Sequence, residues 1–227
     1  MPDIGRFLEF SVPAPDVAAS LDFYLRLGFS EVRVNDIRPR GYTAVTDGQI
    51  VIGLHSLGLD EPALTFVRPD LARHALALAN AGADIEFQRL GDDQFNEAGL
   101  RTADGQLLLL LEAPTFSATD FDIAPSLIGR CTELVLSCAT AGETSSFFET
   151  AGFLGTEGDQ DETVRLAAPG LSIALRPEAR RGATLCFEPP GDWHAQLEMR
   201  GISARPAGHD YLLITPEGTR LLLTPAS

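Results

Sequence analysis

The residues of this chain that could take part in chemistry do not form a recognised catalytic motif. The three cysteines, Cys131, Cys138 and Cys186, fit neither an even disulfide framework nor a CxxC metal knuckle. The sequence contains no GxSxG nucleophile elbow, no phosphate-binding loop and no GxGxxG dinucleotide fingerprint. Among the four histidines, His55 is of interest because it ends the apolar run IVIGL, which predicts a strand. We therefore assign no catalytic residue from motifs.

The elements that must position such residues occur twice along the chain. The stretch FLEFSVPAPDVAASLDFYLRLGF, residues 7–29, aligns without a gap with CTELVLSCATAGETSSFFETAGF, residues 131–153, after a shift of 124 positions. The same shift superimposes Arg6 on Arg130 and Glu9 on Glu133. A match of this length predicts two copies of one fold.

Each copy is itself a pair of similar modules. Residues 7–12 predict a strand, and the apolar spacing after Asp16 predicts a helix that Gly28 ends. Three strands follow, the last two joined by a turn at Asp47-Gly48. The same order begins again at residue 63 and is repeated in the second half, with helix caps predicted at Asp16, Asp70, Thr140 and Asp192. The sequence therefore predicts an α+β fold of four βαβββ modules.

Composition fits two compact units in tandem. A chain of 227 residues with 44% hydrophobic content can bury two cores of ordinary domain size. Residues 116–127 carry turn formers without a sustained period, which predicts a linker. We therefore expect one domain over residues 1–115 and a second, more divergent domain over residues 128–227.

Charge and terminal composition narrow the expected partners. The formal net charge of −15 and the pI near 4.5 disfavour nucleic acid and anionic membranes, and favour a cationic ligand. The N-terminus has no signal-peptide pattern, and no window approaches the roughly 18 apolar residues of a membrane span. We expect a cytoplasmic protein without disulfides.

The segments PDVAASLDFYLRLGF and DGQLLLLLE resemble the glyoxalase, bleomycin-resistance and extradiol-dioxygenase superfamily, also called the vicinal oxygen chelate superfamily. The resemblance implies two tandem domains, each made of two βαβββ modules whose sheets curl around a cavity. It leaves chemistry open, because the superfamily includes lyases, isomerases, dioxygenases and drug-binding proteins. Domains of this kind commonly pair, so we expect a monomer, whose two halves form the pair, or a homodimer.

Enzymes of the superfamily hold a divalent metal with His, Gln or Glu from the first and last strands of each module. The resemblance puts mostly apolar residues at those positions: Phe7, Gly53, Pro62 and Leu109 in the first half, and Cys131, Ala174, Ala183 and Leu222 in the second. A shift of two residues would bring in Glu9 and His55, but two ligands are too few for tight metal binding. We therefore expect no metal and no cofactor.

The same placement predicts a ligand-binding set rather than a catalytic one. Glu9 would face His55, with Phe66 and Leu109 on the same cavity wall. In the second half Glu133 would face Arg176, and Arg220 shares the parity of Leu222. The predicted ligand-binding residues are Glu9, His55, Phe66, Leu109, Glu133 and Arg176.

These residues favour a binding protein over an enzyme. We predict a metal-independent small-molecule-binding protein that resembles the bleomycin-resistance type, either drug-sequestering or ligand-sensing, whose ligand is cationic or aromatic. The alternative is a metal-dependent lyase or dioxygenase of the glyoxalase or extradiol type with a shifted site.

Overall fold

The computed structural model describes residues 4–32, 41–113, 123–156, 163–178 and 182–225. These residues form two eight-stranded sheets and four helices. The first half of the chain contains β1 (Arg6–Pro13), α1 (Val17–Arg26), β2 (Ser30–Val32), β3 (Tyr42–Thr46), β4 (Val51–His55), β5 (Ala63–Arg68), α2 (Leu71–Asn80), β6 (Ile85–Arg89), β7 (Glu97–Arg101) and β8 (Leu107–Glu112).

The second half repeats this order. It contains β9 (Cys131–Cys138), α3 (Ala141–Thr150), β10 (Leu154–Thr156), β11 (Val164–Ala168), β12 (Leu171–Pro177), β13 (Gly182–Phe187), α4 (Trp193–Met199), β14 (Arg205–Ala207), β15 (Asp210–Ile214) and β16 (Arg220–Leu223). The strand orders β2-β3-β4-β1-β5-β8-β7-β6 and β10-β11-β12-β9-β13-β16-β15-β14 correspond one to one. The predicted α+β fold of four βαβββ modules is confirmed.

The helix ends show where the local sequence signals succeed and where they fail. Each helix is followed by a glycine with positive φ, as the sequence predicts: Gly28, Gly82, Gly152 and Gly201. Asp16 caps α1, because its side chain accepts a hydrogen bond from the Ala19 amide at 3.0 Å. Asp70, Thr140 and Asp192 are the N-cap residues of α2, α3 and α4, as predicted, but none of their side chains forms a cap hydrogen bond.

The chain divides into two compact units that each combine modules from both halves. The first unit comprises Met1–Glu9, Ala63–Ala118 and Val135–Gly182. The second unit comprises Phe10–Pro62, Thr119–Leu134 and Ala183–Ser227. The domain bounds inferred from the repeat remain a prediction, and residues 116–122 of the predicted linker lie outside the described residues.

The core of the first unit is a chain of aromatic contacts. Phe148 on α3 contacts Phe153, Phe153 contacts Phe66 on β5, and Phe66 contacts Phe7, with ring centroids 4.9, 5.9 and 5.6 Å apart. Asp104, in the β7–β8 turn, accepts hydrogen bonds from the Ala139 amide at 2.8 Å and from the Thr144 hydroxyl. Asp104 therefore holds the β7–β8 turn against the start of α3.

The second unit contains the equivalent arrangement with one addition. Tyr24 on α1 contacts Phe29, which contacts Phe187 on β13, at 5.2 and 6.1 Å between ring centroids. Glu217, in the β15–β16 turn, accepts from the Ser20 hydroxyl and from the Tyr24 hydroxyl, both at 2.8 Å. Ser20 corresponds to Thr144 and Tyr24 to Phe148 after the shift of 124, so only the second unit has the tyrosine hydrogen bond.

None of the described helices is long and apolar enough to cross a membrane.

Candidate functional site

In the first unit, the sheet brings four residues into one row around Leu109. Leu109 on β8 pairs with Thr65 on β5 and with Gly99 on β7, and Gly99 pairs with Phe87 on β6. Because paired residues of neighbouring strands project on the same face, this row belongs to one side of the sheet. Thr65 is buried, while Leu109 and Phe87 are half-buried.

The Phe87 ring occupies the space that a side chain at position 99 would fill. A Cβ atom built on Gly99 would lie 2.7 Å from Cδ1 and 2.9 Å from Cζ of Phe87. The register also shifts between Ile85 and Phe87, which is a β-bulge on this edge strand. The bulge and the glycine together let the ring lie over position 99, next to Leu109.

Ion pairs lie on both sides of this row. Arg89 Nη1 is 2.6 Å from Glu97 Oε1, in the row that contains Leu111. Arg101, opposite Leu107, donates to Glu86 Oε2 at 2.8 Å. The resulting surface has an apolar centre between two ion pairs, and we call it the Leu109 face: Thr65, Phe87, Leu107, Leu109 and Leu111.

Replacement of Gly99 by Ala tests whether Phe87 covers this row. The added methyl group overlaps the ring, so we expect Gly99→Ala to lower the free energy of unfolding by about 1–2 kcal/mol. In a Phe87→Ala background the same substitution should be neutral or stabilising, because alanine reduces the freedom of the unfolded chain. Urea unfolding of the original chain, the two single variants and the double variant measures both effects. An equal loss from Gly99→Ala in the original chain and in the Phe87→Ala background would contradict the placement of the ring.

The structure corrects the prediction that Phe66 and Leu109 share one wall. Phe66 pairs with Leu110, and Leu109 pairs with Thr65. Neighbouring residues of a strand project on opposite faces, so Phe66 lies on the other side of the sheet from Leu109. Its side chain is fully buried against Phe7 and Phe153 and belongs to the core of the first unit.

The predicted Glu9–His55 pair is not at one level of the sheet. The residue of β1 that pairs with His55 is Pro13, four positions after Glu9, which is about 13 Å along a strand. Glu9 is 1% exposed and belongs to the first unit, whereas His55 belongs to the second. The His55 ring instead contacts Tyr42 at 4.8 Å between centroids. Ligand binding by these residues stays a prediction.

The predicted Glu133–Arg176 pair is also divided between units. Glu133 belongs to the second unit and Arg176 to the first. Both side chains are half-buried and both take part in interactions. Their role in ligand binding stays a prediction. Arg220, by contrast, forms no hydrogen bond or ion pair with its guanidinium to any other residue that the structure describes.

A groove that sequence reasoning did not predict lies between α2 and β6. Its volume is about 560 Å³, and Leu76, 63% exposed, is a prominent residue of its wall. The sequence signal was present, because Ala72, Leu76 and Ala79 form an outward apolar stripe at spacings of four and three. Phe87 lines this groove as well as the Leu109 face.

The donor set does not fit a metal centre in the part of the chain that is described. Residues 4–32, 41–113, 123–156, 163–178 and 182–225 contain no group of three His, Cys, Asp or Glu side chains placed to hold a metal ion. Cys131 is 7% exposed, and burial, together with nearby Asp47 and Cys186, raises the pKa of its thiol well above the usual value. A protonated thiol is a poor metal ligand.

Comparison with solved structures identifies the fold. The chain is similar to a catechol 2,3-dioxygenase, with a TM-score of 0.64 and 15% identity over 99% of this chain and 89% of that one. It is also similar to a 2,3-dioxygenase from Pseudomonas sp. KL28, with a TM-score of 0.63 and 15% identity over 98% and 92% of the two chains. A Mn(II)-bound glyoxalase from Novosphingobium aromaticivorans gives a TM-score of 0.60 and 16% identity over 97% and 81%.

Comparison with family models gives a match for the first part of the chain. A comparison with curated proteins finds no match to the chain. Residues 6–105 match the family model of the Glyoxalase/Bleomycin resistance protein/Dioxygenase superfamily. This range includes Thr65 and Phe87 of the Leu109 face and ends before β8. The resemblance inferred from the sequence is confirmed for this part of the chain, and the fold is one shared by dioxygenases and a glyoxalase.

Proposed function

We propose that the chain binds a small organic molecule on the Leu109 face without a metal ion. The observation that carries this proposal is the row formed by Thr65, Leu109, Gly99 and Phe87. It lies where the resemblance puts a metal ligand, and it offers an apolar strip in place of imidazole or carboxylate. Such a lining suits binding through shape and apolar contact.

The chemistry of the face indicates a flat aromatic ligand with a cationic group. Phe87 offers an aromatic ring, and the leucines offer an apolar floor. The carboxylates of Glu86 and Glu97 lie at the two sides, 44% and 25% exposed. Each is paired with an arginine, so attraction of a cation depends mainly on the net charge of −15.

A second candidate is a metal-dependent dioxygenase or lyase. The solved structures favour it over the bleomycin-resistance type, because they include dioxygenases and a Mn(II)-bound glyoxalase. Sequence identities of 15–16% indicate a shared fold but do not indicate a shared reaction. This candidate needs metal ligands that the described residues do not bring together.

Metal analysis and a binding titration together decide between the two candidates. We expect protein purified without chelators to hold less than about 0.1 equivalent of Mn, Fe, Ni or Zn per chain, because the ligand positions are apolar. Ethidium, a flat aromatic cation, should bind equally well before and after EDTA treatment. Phe87→Ala should weaken ethidium binding about tenfold by removing the aromatic contact.

The matched control is Phe95→Ala, which removes a 62% exposed phenylalanine from the same module. It should leave ethidium affinity within about twofold. Stoichiometric metal that is lost in His55→Ala would favour the enzyme. An ethidium affinity that Phe87→Ala and Phe95→Ala reduce equally would reject the Leu109 face as the site.

A further inference from the structure

In the second unit, Arg220 is a half-buried cation without an acceptor. It begins β16, and its guanidinium makes no hydrogen bond or ion pair with any residue described. Glu217, three positions earlier, accepts hydrogen bonds from the hydroxyl groups of Ser20 and Tyr24 and forms no ion pair with Arg220. The guanidinium of Arg220 is therefore available to an acceptor from outside the described residues.

The other buried or half-buried arginines of the described chain differ in this respect. Arg26 and Arg101 donate to the carboxylates of Asp22 and Glu86. The remaining ones, Arg6, Arg68, Arg165 and Arg176, also take part in interactions. Partial desolvation of a guanidinium is costly unless an acceptor compensates it. Arg220 differs in that none of its guanidinium nitrogens contacts a described acceptor, so the whole fork can bind an acceptor that is not part of the protein.

The neighbours of Arg220 form a surface with one further donor. Arg220 pairs with Thr184 on β13, so the two side chains lie side by side on one face. Thr184 is 7% exposed, and its hydroxyl makes no hydrogen bond within the described residues. Two donors of different strands, one charged and one neutral, thus lie next to each other without an acceptor.

Apolar side chains continue the same face. Leu222 lies two positions after Arg220 and pairs with Cys186 on one side and Leu212 on the other. Leu222 and Leu212 are half-buried, so their surface remains partly accessible. We call this surface the Arg220 face: Thr184, Cys186, Leu212, Arg220 and Leu222.

We propose that the Arg220 face binds a small carboxylate with an apolar or aromatic body. The planar guanidinium matches a carboxylate in two parallel hydrogen bonds, and the Thr184 hydroxyl provides a third donor. The apolar body of the ligand covers Leu222 and Leu212. This site lies in the second unit and depends on neither the Leu109 face nor a metal ion.

Benzoate is the probe for this site, with neutral benzamide as its isosteric counterpart. Calorimetric titration of the full chain should give saturable benzoate binding, and benzamide should bind at least about tenfold more weakly. Arg220→Met should weaken benzoate binding about 30-fold, and Thr184→Val about fivefold. Arg205→Met is the control, because Arg205 lies on the same face, opposite Leu212, but is exposed. It should change the affinity less than about twofold.

Thermal unfolding separates binding from a structural role. Without ligand, Arg220→Met should unfold at the same temperature as the original chain, because the substitution breaks no hydrogen bond or ion pair with a described residue. Benzoate should raise the unfolding temperature of the original chain and of Arg205→Met but not of Arg220→Met. Three results would each overturn the proposal. The first is an equal affinity for benzoate in Arg220→Met and the original chain, and the second is an equal loss of affinity in Arg220→Met and Arg205→Met. The third is the absence of saturable binding up to about 50 mM benzoate.

Discussion

Gly129→Ala should lower the free energy of unfolding by about 3 kcal/mol, one of the largest losses expected from adding a single methyl group to this chain. Gly129 has a φ of +86°, which an alanine adopts only with strain. A Cβ atom there would also overlap the carbonyl oxygen of Glu188 and approach its carbon to 3.0 Å. The obstacle is backbone, so no side-chain rotation can relieve the overlap.

The control for backbone strain alone is Gly218→Ala. Gly218 has a similar φ of +93°, but a Cβ atom would meet nothing within 4 Å. We expect it to cost about 1 kcal/mol. Urea unfolding measures the loss in each variant, and similar losses at Gly129 and Gly218 would show that the carbonyl contact contributes nothing.

Gly5→Ala should lower the free energy of unfolding about as much as Gly129→Ala, since Gly5 has a φ of +99° and its Cβ would lie 2.5 Å from the Val67 oxygen.

Gly5 and Gly129 occupy equivalent positions in the two halves of the repeat. They are 124 positions apart and come directly before Arg6 and Arg130. Each allows the start of its half to pack against the backbone at the end of β5 or β13. A constraint imposed by backbone leaves few alternatives to glycine, so the sequence retains it even where the helices have diverged.

Local patterns predicted the modules because their causes are local. Asp47-Gly48 forms the β3–β4 turn, and the Asp47 carboxylate accepts from the amides of Gln49 and Ile50, both at 2.8 Å. Apolar spacing and the glycine after each helix depend only on near neighbours in the chain. The order of elements therefore follows from the sequence without knowledge of tertiary contacts.

The faces of the strands were harder to predict, because an error of one position reverses them. The predicted wall combined Phe66 with Leu109, yet the register pairs Phe66 with Leu110. The first five residues of β8 are leucines, so hydrophobicity does not distinguish the two faces of this strand. In β1 the shift of four positions between Glu9 and Pro13, the partner of His55, changes the level along the strand and not the face, since parallel pairing has no turn to fix its register.

Contacts distant in sequence account for the rest. Thr140 was the reasonable local cap for α3, but Asp104, more than thirty positions away, accepts the Ala139 amide. Phe87 covers Gly99 because of a bulge that no sequence pattern announced. Arg220 could be placed on the face of Leu222 by parity, whereas its lack of an acceptor depends on Glu217 pointing to another module.

That contact of Glu217 leads to the second large effect, a loss of about 3 kcal/mol of unfolding free energy in Glu217→Ala. Tyr24 is fully buried, and burial, followed by the charge of Glu217, raises the pKa of its hydroxyl well above the usual value. The hydroxyl therefore stays protonated and donates to Glu217 at 2.8 Å. Without the carboxylate, Tyr24 and Ser20 both lose a charged acceptor in a site that water hardly reaches.

A double-mutant cycle in urea isolates the tyrosine contribution. Tyr24→Phe removes the buried donor, so Glu217→Ala should cost less than about two thirds as much in that background. Glu198→Ala is the control, because the Glu198 side chain is 70% exposed and its contact with His194 is long, at 3.6 Å; we expect less than about 0.5 kcal/mol. Additive losses for Tyr24 and Glu217 would mean that the two side chains act separately. Coupling between them would mean that the hydrogen bond between Tyr24 and Glu217 holds the β15–β16 turn against α1.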